Sequence, residues 1–170
     1  MTGSVENAAA PVLVMGLGNQ LLSDDGVGLC LLSRLAESGG FGDDVEFVDG
    51  GTQGLALLPY LARRRSILML DAASLGAPAG TVHVLHGNEV RRFRARRAPT
   101  PHESSAMELL ETAELLGDGC DEVAVVGVEP AMVRTGIGLS PEVESNVAIA
   151  VQRARELLEE MVAHVPRSAR

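Results

Sequence analysis

Four carboxylates and one imidazole stand out by their positions. Asp24 and Asp25 follow an apolar run in VLVMGLGNQLLSDDGVGL (residues 12–29), Asp49 closes DVEFVDGG, Asp71 closes ILMLD, and His102 lies in TPHESS. An open α/β sheet gathers its functional groups beyond the carboxyl ends of its strands, and all four acids stand at predicted strand ends. Two carboxylates and one neutral imidazole make a hard-to-borderline site for a divalent cation, with positions left open for water or substrate. There is no HExxH, so the ligands are scattered, and the chemistry they point to is that of a metal-dependent hydrolase.

Each residue also has a plainer role. Gly16-x-Gly18 begins like a phosphate-binding loop, but Leu21 occupies the place of a third glycine and no acid completes a ribose-binding pattern, which counts against a nucleotide-binding module. Gly16, Gly18, Gly26 and Gly28 permit close backbone approach to a ligand or simply a strand-to-helix turn. Ser23 and Asp24 are both good helix N-caps, so Asp25, one step further into the first turn, is better placed to project. Asp71 after an apolar run equally caps a turn. A lone histidine is ordinarily a surface residue, but the first turn of a helix disfavours imidazolium and keeps His102 neutral and able to ligate. His83 and His86 fall in a predicted edge strand and are read as facing solvent, and His164 lies in the C-terminal helix.

The elements that must position these groups alternate between strand and helix. PVLVMGLG is the first strand, and a helix from about Asp24 to Glu37 sets Val27, Cys30, Leu31 and Leu35 on one face before Gly39-Gly40 ends it. DVEFVDGG is the second strand, and TQGLALLPYLARR is a short helix interrupted or bent near Pro59. RSILMLDAA, apolar without interruption, suits a central strand covered on both faces. GTVHVLHG follows after a connection too short for a parallel crossover, so it is predicted antiparallel and at an edge. VRRFRARRAPT is the one basic cluster (Arg91–Arg97), either a solvated loop or a docking surface for an acidic partner. TPHESSAMELLETAELLG opens a helix with Thr100 as N-cap, Pro101 at the first position and Glu103 completing a capping box, and Gly117 closes it. DEVAVVGVEP is the fifth strand. A long helix capped by Ser140 and Pro141 carries Val143, Val147, Ala150, Ala154, Leu158 and Met161 as its buried stripe. The expected fold is α/β: a three-layer sandwich with a twisted, five-stranded, mostly parallel sheet, one antiparallel strand, and helices on both faces. One domain spans residues 1–170, with a core of about 11–165 and flexible termini.

Composition narrows the function. The chain has 170 residues, a formal net charge of −9, no Trp, one Tyr and three Phe, so its core is aliphatic. That acidity argues against nucleic acid and anionic membranes, and no apolar run reaches the length of a membrane span. MTGSVENAAAP has no basic start and is not read as a signal peptide. Cys30 and Cys120 form no CxxC and are read as reduced thiols, which suits the cytoplasm.

Taken together, GLGNQLLSDDGVG, VDGGTQG, LMLDAAS, TPHESS, VVGVEP and GIGLSPEV resemble the hydrogenase maturation endopeptidases, over about residues 12–160 and in the right order. The resemblance implies a peptidase, aspartic-type or metal-dependent, that removes a C-terminal extension from a nickel-iron hydrogenase large-subunit precursor after nickel insertion. It implies that Asp25, Asp71 and His102 contact nickel supplied by the substrate, with no tightly bound metal in the isolated protein. Asp25 and Asp71 are its candidate catalytic acids; the family often has Glu at the first of these positions. Asp49, Gly50, Gly51 and Thr52, on the same edge, are read as positioning the substrate. A non-catalytic nickel checkpoint or chaperone on the same large subunit is the alternative.

Overall fold

The structure, a computed structural model, describes residues 9–90 and 106–166. Its strands are β1 (Val12–Leu17), β2 (Val45–Gly51), β3 (Ser66–Ala72), β4 (Val82–His86) and β5 (Glu122–Val128), in the spatial order β2-β1-β3-β5-β4. β1 pairs in parallel with β2 and β3, and β3 in parallel with β5, whereas β4 runs antiparallel to β5 with Val82 opposite Val128 and Val84 opposite Val126. The short connection from β3 to β4 does what its length demands, and β4 forms an edge.

The middle strands are apolar on both faces because both faces are covered. On one side Val12, Val14, Leu68, Leu70, Ala124 and Val126 pack against α1 (Val27–Ser38) and α5 (Val147–Ala163). On the other, Leu13, Met15, Ile67, Met69 and Val125 pack against Leu57, Leu61 of α2 (Leu58–Leu61) and Leu109 and Leu110 of α3 (Ala106–Leu115). Alternate residues of one strand thus feed two separate cores, the three-layer arrangement expected from the sequence. Each fully buried Leu or Ile contributes about 1.5–3 kcal/mol.

Three local features differ from the sequence reading. The helix expected from Asp24 begins instead as a 3-10 turn, Ser23–Gly26, before α1 takes over. The C-terminal helix is divided: Ser140 caps α4 (Pro141–Glu144), and α5 starts afresh at Val147. At the break, the Ser145 hydroxyl and the Asn146 amide both donate to the Glu142 carbonyl, competing with the helical backbone for the same acceptor. The third is His83, which is half-buried against Glu129, with 3.0 Å between His83 Nε2 and Glu129 Oε2, while His86 is exposed as expected.

Candidate active site

Glycine sets the geometry where β1 ends. Gly18 has φ +118° and donates its N–H to the Gly51 carbonyl at 3.0 Å, tying the loop after β1 to the one after β2. A Cβ on Gly28 would fall inside van der Waals contact of the Leu17 and Leu70 carbonyl oxygens, so the first turn of α1 lies directly on the ends of β1 and β3. The Ser23–Gly26 turn in front of it also touches β3. Asp25 is therefore carried to the carboxyl edge of the sheet, where Asp71 occupies the penultimate position of β3.

The adjacent acids have separate tasks. Asp24 is fully buried, and its carboxylate accepts from the N–H groups of Ala131 (2.9 Å), Met132 (3.0 Å) and Ser140 (2.6 Å) and from the Ser140 hydroxyl (2.8 Å). It is a latch on the segment between β5 and α4, and no helix N-cap. Burial pushes its carboxyl pKa up, but these donors outweigh burial and hold it below the ordinary range. Asp25 takes no part in that latch. It is half-buried, and its Oδ2 accepts from the Asn19 N–H at 2.8 Å, which orients it towards the loop after β1.

Asp71 Oδ1 accepts from the Ala72 N–H at 2.8 Å and Oδ2 from the Ala106 N–H at 3.3 Å. The second bond ties β3 to the helix into which TPHESS runs. His102 itself, the Arg91–Arg97 cluster and the Thr100–Glu103 capping box lie outside the described residues. Of the expected trio, Asp25 and Asp71 are the members within the described residues; among those residues alone, no three His, Cys, Asp or Glu side chains group as metal ligands. Asp49 is exposed on β2 opposite Gly16, Gly50 is buried, Gly51 is the carbonyl partner of Gly18, and Thr52 is exposed. This loop shares the sheet edge that carries Asp25 and Asp71. A small pocket lined by Ile67, Leu110, Cys120 and Val123 opens at the opposite ends of β3 and β5, away from these groups.

Glu129 was missed in the sequence, although it follows an apolar strand as Asp71 does. It is buried and accepts from the N–H groups of Leu75 and Gly76 as well as meeting His83. Burial raises its pKa, but the Leu75 N–H, His83 and the Gly76 and Ala77 N–H groups together bring it below the usual carboxylate value. The carboxylate thereby fixes the chain leaving β3, just beyond Asp71.

This geometry has close relatives. The family model described as hydrogenase maturation protease matches residues 30–157. The chain belongs to the hydrogenase maturation protease family. It is 32% identical over 161 residues to the Hydrogenase 2 maturation protease of Escherichia coli strain K12, covering 93% of this chain and 97% of that one. It is also 32% identical over 148 residues to the hydrogenase expression/formation protein HupD of Rhodobacter capsulatus, covering 86% and 70% respectively. Among solved structures it is similar to the E. coli hydrogenase maturating endopeptidase HybD, with a TM-score of 0.79, 31% identity, and 88% and 92% of the two chains covered. The maturation protease HybD of Thermococcus kodakarensis follows at a TM-score of 0.69 and 28% identity, with 86% and 98% covered. The chain is accordingly a peptidase of hydrogenase maturation.

Proposed function

We propose that this protease removes the C-terminal extension of a nickel-iron hydrogenase large-subunit precursor once nickel has been inserted, and that it recognises the nickel in the substrate through Asp25, Asp71 and His102. One observation carries the reading. Of two adjacent acids, Asp24 is consumed by four internal hydrogen-bond donors, while Asp25 is kept out of that latch at the sheet edge that carries Asp71. A protein that needed only the latch would not require the second carboxylate there. A doubly charged ion explains why acids stand where a phosphate-binding loop would place glycine.

Hydrolysis requires a water oxygen to bond to the scissile carbonyl carbon, the C–N bond to break, and a proton to reach the departing amine. Asp25 or Asp71 suits the proton transfer, taking it from the water and returning it to the amine. Substrate nickel supplies either the polarisation of the carbonyl or the recognition that brings it within reach of the acids. Asp49 to Thr52 hold the precursor strand along the same edge. The two cysteines are free thiols, in keeping with work in the cytoplasm. Among the described residues, no helix is long and apolar enough to cross a membrane.

The test is His102→Ala with nickel-loaded precursor, read by mass spectrometry of the large subunit. Trimming should fall by at least about a hundredfold, as expected for loss of a positioned catalytic or ligand group, with the thermal midpoint unchanged. Trimming at the wild-type rate would overturn the assignment.

A further inference from the structure

Between β5 and α4, residues 131–139 (AMVRTGIGL) carry a single charge, Arg134, and residues 19–23 (NQLLS) carry none. Within these two segments Ile137 is 90% exposed, Leu21 62% and Val133 54%. In a chain of net charge −9, exposed loops are where solubility would ordinarily place acids, and these have none.

The backbone beneath these side chains is held at many points. Gly136 donates its N–H to the Leu21 carbonyl at 2.9 Å, and the Ser23 N–H returns to the Gly136 carbonyl at 2.9 Å. The Ser23 hydroxyl donates to the Arg134 carbonyl at 3.0 Å, and Leu22 and Gly136 form a parallel bridge. Ser23 takes φ +52° to do this, a conformation rare for a residue with a side chain. The Asp24 carboxylate then fixes the two ends of the segment at Ala131, Met132 and Ser140. A rigid framework therefore presents three aliphatic side chains to solvent, when an isolated loop would gain by turning them inward. The framework is continuous with Asp25, the residue next to the latch.

We infer that Leu21, Val133 and Ile137 form a docking ridge for an apolar, neutral-to-acidic segment of the large-subunit precursor, which seats the substrate beside Asp25. The occupant follows from two properties of the ridge. Its own exposed side chains are aliphatic or neutral apart from Arg134, so it suits an apolar stretch whose flanking charge, if any, is acidic. The Asp25 carboxylate holds the Asn19 N–H, and the Asn19 side chain in turn holds the Leu21 N–H, so one end of the ridge is tied directly to the turn that bears the acid. The inference rests on the function proposed above and names the part of the precursor surface the protease grips.

The experiment measures kcat and KM for trimming of nickel-loaded precursor by the wild type, Ile137→Asp, Leu21→Asp and, as a control at the far end of the molecule, Leu115→Asp. Direct binding of the same precursor to each variant is measured alongside by biolayer interferometry. Loss of one buried aliphatic contact corresponds to about a tenfold change in an equilibrium constant. Ile137→Asp and Leu21→Asp should each raise KM and the binding constant by about tenfold or more with kcat retained, and Leu115→Asp should change neither. All three sites are exposed, so thermal midpoints should match the wild type. Wild-type KM and binding in both ridge variants would overturn the ridge while leaving the proposed function standing. Absence of trimming by the wild type would instead overturn the proposed function, and the binding data would still decide the ridge. A wild-type dimer that Ile137→Asp dissolves, without any change in precursor binding, would assign the ridge to a second copy of this chain and refute the inference.

Discussion

Replacing Asp24 by Asn tests whether the first acid of the pair is structural. The carboxylate has four donors: Ala131, Met132 and Ser140 N–H and the Ser140 hydroxyl. Asparagine keeps the shape but substitutes an NH2 donor for one acceptor oxygen. Its best rotamer leaves the remaining oxygen facing Ala131, Met132 and the Ser140 hydroxyl, and sets the NH2 against the Ser140 N–H. Leaving one buried donor unpaired costs about 1–3 kcal/mol, and the surviving bonds lose the extra strength that a charged acceptor gave them. The expected loss is about 3–4 kcal/mol, a large share of the roughly 5–15 kcal/mol that holds a domain of this size together. The pH dependence has a definite sign. Because donors hold the folded-state pKa below its ordinary value, Asp24 contributes stability that is present above about pH 4 and lost as pH falls through the folded value. Urea unfolding followed by circular dichroism at pH 7 should show the full loss in Asp24→Asn. In a series towards pH 3 the gap from wild type should narrow. A difference under about 0.5 kcal/mol at pH 7, the scatter of an ordinary surface substitution, would refute the latch.

Gly28→Ala should destabilise by about 3 kcal/mol or more, since the new Cβ meets two backbone carbonyls that cannot swing aside; a thermal midpoint equal to wild type would contradict the close approach of α1 to the strand ends. Glu129→Gln should cost about 1–3 kcal/mol at neutral pH. It should also flatten the acid side of the stability profile, because its lowered pKa makes its contribution one that vanishes on acidification. An unaltered acid limb would count against it. Asp49→Ala should leave stability intact and slow precursor trimming, and a normal trimming rate would remove the loop after β2 from substrate positioning.

Much of the architecture was legible because it depends on local pattern. β1 and β3 are apolar without interruption and occupy the middle of the sheet; β4 is antiparallel because nine or so residues cannot make a crossover. Asp71 was legible as an acid at a strand end. The division of labour between Asp24 and Asp25 was not, because it is decided by donors at 131, 132 and 140, more than a hundred residues away. His83 was misjudged for the same reason: the partner that draws it inward, Glu129, lies on another element. The break between α4 and α5 had a local signal in Ser145-Asn146, two side chains that compete for helical carbonyls.

The most direct measurement of the central claim weighs the large subunit after incubation of this protease with nickel-loaded and nickel-free precursor, using the wild type and Asp25→Asn. The wild type should release the C-terminal peptide from the nickel-loaded form alone, and Asp25→Asn should release it from neither while remaining folded. Equal trimming of both precursors by the wild type, or undiminished trimming by Asp25→Asn, would contradict the reading of this acid as the group that meets the metal.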